Sequence, residues 1–163
     1  MAIRREGKKL FVDIDGAIGE STPMFTYKMD NTEEIIMDLK GATYINSIGV
    51  KHWIVWAYKI PYDCKVTMVD APFVIATQAS TVVGFAPKQM WIESLHAPFG
   101  CDSCGAEETR LLRRGKDYEY KTALHPQWLN LPPTQECAKC KKLTLEPDFL
   151  PEKSFRFLER PNS

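Results

Sequence analysis

Most of the features that usually announce a chemistry are missing from this sequence. Charge of one sign does not prevail, since 21 Lys and Arg stand against 21 Asp and Glu. The balance is local as well, with 10 basic and 11 acidic side chains in residues 1–96 and 11 against 10 in residues 97–163. Binding to phosphate backbones normally needs a clustered excess of Lys and Arg, so a nucleic-acid partner is not expected. The local group Arg110, Arg113, Arg114 and Lys116 could touch phosphates, but a charge run of that size reads as a solvated hairpin. Long apolar runs are absent too. The longest uncharged stretch, Ala71 to Pro87, is interrupted by Pro72, Thr77, Gln78, Ser80, Thr81 and Gly84, which predicts no membrane span but a buried amphipathic helix stopped by Gly84. Only three histidines occur, and neither GxSxG nor HExxH is present, which removes the commonest hydrolytic signatures. The first apolar segment is broken at Asp13 and Asp15, so it makes no signal peptide. The expectation is a cytoplasmic chain under reducing conditions.

What is present is a set of cysteines. Cys101 and Cys104 form one CxxC pair, Cys137 and Cys140 a second. A CxxC turn presents two thiolates from one tight knuckle, and two knuckles fill the tetrahedral shell that zinc prefers. The expectation is one structural Zn²⁺ on Cys101, Cys104, Cys137 and Cys140, with no position left open for catalysis. Two disulfides would be the alternative in a small secreted domain, which the missing export signal disfavours. Gly100 and Gly105 flank the first pair and allow a sharp turn, while Lys139, Lys141 and Lys142 around the second favour ionised thiolates. His96 and His125 are conceivable substitutes, but either would have to displace a cysteine. Four thiolates on a divalent ion leave the loaded second half about one charge negative.

Composition shifts near Ala97. Before it the sequence alternates apolar and polar residues; after it come seven prolines and all four paired cysteines. Two domains follow, residues 1–96 and 97–163. In the first, Lys9 to Ile14 alternates as a strand, Asp15-Gly16 turns into a short strand Ala17 to Gly19, and Ser21-Thr22-Pro23 opens a short helix. Glu34 to Leu39 is a further strand. Asn46-Ser47 has the character of an N-cap for a helix whose Val50, Trp53, Ile54, Ala57 and Ile60 recur at helical spacing. Lys65 to Asp70 is a strand, the Ala71 to Gly84 helix follows, and Met90 to Leu95 is the last strand. Strands alternating with helices after an initial hairpin predict an α/β fold with a mixed sheet. In the second domain, two knuckles flank a hairpin over Thr109 to Lys121 turning at Arg114-Gly115-Lys116. Leu143 to Leu145 follows the second knuckle, and Phe155, Phe157 and Leu158 are expected to cover a core rather than face solvent. Small metal domains need such cover.

The order and spacing of residues 8–96 resemble the STAS domains (sulfate transporter and anti-sigma factor antagonist). The turn Ile45-Asn46-Ser47-Ile48-Gly49-Val50 is similar to that family's hydrophobic-Asp-Ser-Ser-Gly-hydrophobic motif, and the Asp15-Gly16 turn follows the first strand as it does there. The resemblance implies a non-catalytic switch that binds or releases a protein partner, with Ser47 at the position phosphorylated by a partner serine kinase of the anti-sigma type. The sequence departs from the motif at Asn46, which stands for Asp, and at Ile48, which stands for the second serine. Asn can still cap a helix, but without a carboxylate charge. On the same helix His52, Trp56 and Lys59 lie on a flank, where Trp56 is either a partner anchor or buried. Together with Asn46, Ser47 and Gly49, His52 and Trp56 make the expected partner surface.

Two enzymatic patterns are weaker. Asp13-Ile14-Asp15-Gly16 after an apolar strand resembles the nucleophile motif of haloacid-dehalogenase-type phosphatases, but no following Thr and no late Asp-Asp pair accompanies it. Cys64 could act as a nucleophile only with a base beside it, and the spacing ties none of the three histidines to it. A second functional reading keeps the zinc ribbon as a docking module for nucleic acid or a transcription complex, regulated by the first domain.

Overall fold

The computed structural model describes residues 1–160. Among these residues, no helix is long and apolar enough to cross a membrane. The fold is α/β with a mixed sheet. Strands β1 (Ala2–Glu6), β2 (Lys9–Ile18), β3 (Glu34–Ile45), β4 (Lys65–Val69) and β5 (Met90–Ile92) form it in sequential order. The first pair is antiparallel and the other three are parallel. Parallel neighbours need crossovers. These are a 3₁₀ turn at Pro23–Thr26, helix α1 (Ser47–Tyr58) and helix α2 (Phe73–Thr81). Side chains alternate across each strand. Leu10, Val12, Ile35, Met37, Leu39, Val66 and Met68 are buried, while Phe11, Ile36 and Thr67 between them are half-buried.

The initial hairpin lies earlier than Asp15-Gly16. It joins β1 to β2 at Gly7, whose φ of 59° suits a glycine. Beyond it, β2 does not turn at Asp15-Gly16 but continues to Ile18. Register shifts between Asp13 and Asp15 and between Gly16 and Ala17 absorb the irregularity, as bulges do. Opposite the bulge, a Cβ on Gly41 would come within 2.9 Å of the Asp15 Cβ, so the strands can approach there only because residue 41 is glycine. The Ser21-Thr22-Pro23 signal yields a 3₁₀ turn with Pro23 in its first turn. The Thr22 hydroxyl accepts from the Gly19 amide and caps none of the turn's own amides.

Helix α2 ends at Thr81, before Gly84. Val82 is already extended, and Gly84, at φ 83°, turns the chain so that Phe85 stacks at 4.7 Å on Trp53, whose indole donates to the Phe85 carbonyl. The expected strand Met90 to Leu95 is two strands meeting at Glu93. After β5, strand β6 (Ser94–Cys101) leaves the first sheet and pairs with β7 (Glu107–Arg113) and β10 (Leu145–Pro147). Its start still touches the first sheet, where the Ala71 amide donates to the Ser94 carbonyl and the His96 amide to the Ala71 carbonyl. The chain therefore runs through residues 96–97 as one continuous strand.

The hairpin expected over Thr109 to Lys121 does not form. A turn exists, with Gly115 at φ 81° and the Gly115 amide on the Tyr118 carbonyl. However, β7 pairs with β6, whereas β8 (Tyr118–Glu119) pairs with β9 (Trp128–Leu129). The cause is the burial of Tyr118 and Tyr120. On β5, the Tyr118 hydroxyl donates to the Ile92 carbonyl and the Tyr120 hydroxyl accepts from the Ile92 amide, each at 2.7 Å. Two phenols thus satisfy the backbone of a buried edge strand, as buried polar groups require. The C-terminal segment, with a short helix α3 (Pro151–Ser154), closes this region. Phe155, Phe157 and Leu158 are buried, and Ser80 on α2 donates to the Ser154 carbonyl and accepts from the Phe157 amide.

Either Tyr118→Phe or Tyr120→Phe strands a buried backbone group of Ile92. Each change should cost about 1–3 kcal/mol in denaturant unfolding, and a loss under a few tenths would contradict this role.

Candidate metal centre

Cys101 ends β6 and begins the turn to β7. Its amide donates to the Ala106 carbonyl, and its carbonyl accepts from the Gly105 amide. Cys137 repeats the pattern, with its amide on the Lys142 carbonyl and its carbonyl accepting from the Lys141 amide. In both knuckles the residue four after the first cysteine has positive φ, 72° at Gly105 and 64° at Lys141. Gly105 was legible as the turn residue, but Gly100 is not one; it is paired within β6 to Glu107 and Glu146.

The two knuckles face one another. The sulfurs of Cys101 and Cys140 lie 3.7 Å apart, as do those of Cys104 and Cys137, and all four lie within 4.8 Å of one another. With Zn–S bonds of about 2.3 Å, the edge of a tetrahedron is ~3.8 Å, so the arrangement suits one soft, tetrahedral ion. His96 and His125 are not part of the cluster among the described residues. No disulfide joins the cysteines.

The surroundings act in opposite directions on the two sulfurs of the first knuckle. The Thr144 hydroxyl lies 3.1 Å from the Cys101 sulfur and the Cys104 amide donates to it, and these contacts bring the Cys101 thiol down to about 6. For Cys104, the Ala106 amide pulls the same way, but lost solvation and the other sulfurs outweigh it and push that thiol up to about 11. One thiolate makes the next harder to form until a cation enters, and a divalent ion reverses that balance. From β7, Glu108 accepts from the Ala138 amide at 2.6 Å, and this bond together with Arg110 holds its carboxyl below the usual range. Arg110 in turn donates to Gln135 and to the Glu136 carbonyl, each at 2.7 Å. These two side chains tether the second knuckle to the first knuckle's strand, an outer-shell role that sequence spacing does not reveal.

The partner-surface residues divide. Asn46 caps α1, its side chain accepting from the Gly49 amide at 2.7 Å, and Ser47 is exposed at the first helical position. Gly49 has a packing reason, because a Cβ there would lie 2.4 Å from the Ile18 carbonyl oxygen. His52 is half-buried and stacks on Phe25. Trp56 is buried edge-on against Trp53, 5.6 Å between ring centres. Spaced at i and i+3, the two indoles share one side of the helix, so Trp56 is unavailable as an exposed anchor. Cys64 is buried, and desolvation followed by Asp63 and Glu34 pushes its thiol up to about 11, the opposite of an activated nucleophile. No protein-family model matches the chain, and comparisons with curated proteins and with solved structures find no match.

One zinc per chain should be measured by elemental analysis. Removing it with a chelator or by Cys101→Ser should unfold the region of β7–β10, seen as lost tyrosine near-UV signal, whereas an unchanged signal would contradict a structural role. Because thiols must lose protons to bind the ion, affinity should fall as pH falls. The knuckle backbones make a separate contrast: Gly105→Ala should lower the melting midpoint, and Lys141→Gly should leave it level or raise it. Equal responses would refute the paired geometry.

Proposed function

We propose that this chain is a non-catalytic cytoplasmic adaptor in which a STAS-like unit over residues 8–96 binds a protein partner under control of Ser47, and a zinc ribbon over 97–163 holds a structural Zn²⁺. The observation that carries the proposal is the α1 start. There Asn46 takes the capping role, which leaves the Ser47 hydroxyl free of it on an exposed first turn. The first turn carries no acidic residue, and Lys51 lies four positions on. A phosphate dianion at Ser47 would therefore meet the positive end of the helix dipole and a lysine one turn away. Phosphorylation then changes the charge offered to a partner without unfolding the helix. A serine kinase of the anti-sigma type is the partner class that fits.

The nucleic-acid alternative has less support. Arg110 is tied to Glu108 and the second knuckle, and Arg114 to Glu93 and Glu119 over the faces of Trp91 and Tyr120. Only Arg113 and Lys116 of that group are exposed. Asp13 and Asp15 lie within β2 rather than at its carboxyl end, where open α/β sheets bind ligands, which gives the phosphatase pattern no support.

Incubation with candidate serine kinases and ATP should yield one phosphate, mapped by mass spectrometry to Ser47. Ser47→Asp should keep the melting temperature and alter capture of the kinase. No phosphate, together with kinase binding indifferent to Ser47→Asp, would sink the switch.

A further inference from the structure

Helix α1 is apolar on both sides. Trp53, Trp56 and Ala57 are buried, yet Ile48, Val55 and Tyr58 are 48, 54 and 91% exposed. With the exposed Lys51 between them, these residues follow one another at steps of three, four and three. That is the spacing of a narrow helix–helix seam with one charged position in it. The face has a consistent sign as well. Helix α1 contains no Asp or Glu, while Lys51 on it and Lys59 at its end are exposed. Exposed apolar side chains in a contiguous row rimmed by charge mark interaction sites.

From this geometry we infer that the solvent face of α1 is a docking seam for a helix of another protein, one that carries an apolar stripe flanked by carboxylates. The 3-4 spacing selects a helix, because its own ridges fill the gaps between Ile48, Val55 and Tyr58. The charge selects the rim. A second copy of this helix would set Lys51 and Lys59 against lysines, with no carboxylate of the helix itself to meet them, which costs energy rather than giving it. In a seam a lone lysine fixes register when the facing residue is acidic. The inference rests on the partner-binding reading of the α1 end and narrows it to the chemistry of the partner. Ser47 lies at the head of the seam, so a phosphate there would repel the same acidic rim.

The probe is a synthetic amphipathic helical peptide with a leucine stripe at heptad spacing and glutamates on either side, titrated by fluorescence anisotropy into the zinc-loaded full chain. The expected result is binding that weakens with salt and drops at least tenfold in Val55→Ser/Tyr58→Ser. Lys51→Glu should weaken that peptide and favour the same peptide with lysine flanks. Both variants alter exposed positions, and unchanged melting would show that the fold is intact. Equal binding of glutamate- and lysine-flanked peptides, no binding at low salt, binding of phosphatidylserine vesicles in place of the peptide, or a dimer dissolved by Val55→Ser/Tyr58→Ser would each overturn the seam. Phosphate on Ser47 with no peptide binding refutes the seam and leaves the switch standing. Peptide binding with no phosphate on Ser47 does the reverse.

Discussion

The second half of the molecule depends on four sulfurs meeting at one point. Strands β8, β9 and β10 contain two, two and three residues, too few for their own hydrogen bonds to hold them. The knuckles at Cys101–Cys104 and Cys137–Cys140 are separated by a long stretch whose β8 and β9 are minimal, and an ion shared by the knuckles would tie its two ends together. Closing so long a loop by a metal removes much of the entropy that would otherwise favour the unfolded chain. Around this point Glu108, Arg110 and Thr144 add hydrogen bonds that hold the two knuckles in register.

Strand β6 transmits this constraint. It begins beside Ala71, inside the α/β core, and ends at Cys101. A rigid strand that carries Cys101 at one end and pairs with the first sheet at the other fixes the cysteine cluster relative to that sheet. Tyr118 and Tyr120 add a second link by capping Ile92, and the Phe155, Phe157 and Leu158 cluster adds a third against α2. The α1 face lies outside these links. Its lower side is bound into the core by Trp53 and Trp56, and its upper side exposes Ile48, Val55 and Tyr58. On the proposed reading, the metal supplies rigidity and α1 supplies recognition.

Much of this organisation could be read from the chain. Period-two alternation located β2, β3 and β4, and helical spacing with Asn46 located α1, because one-sided burial writes itself into the sequence. The cysteine pairs declared their own proximity. What escaped depends on partners distant in sequence. Strand β1 has only Ile3 to mark an apolar face among charged neighbours, as edge strands often do. The apparent hairpin at Arg114-Gly115-Lys116 had the right turn residues but the wrong pairing, since the inward tyrosines answer to Ile92. Trp56 was ambiguous because it flanks the stripe of Val50, Trp53, Ile54, Ala57 and Ile60 on a helix that also carries apolar residues on its solvent side, so periodicity left its burial open. The roles of Glu108 and Arg110 had no local signal, because each acts on a backbone group more than 20 residues away.

The claim on which the rest stands is that one ion is held by four sulfurs. X-ray absorption at the zinc edge of the purified protein addresses it directly. A single shell of four sulfur scatterers at about 2.3 Å is expected. A shell containing nitrogen or oxygen, or no stoichiometric metal, would contradict it.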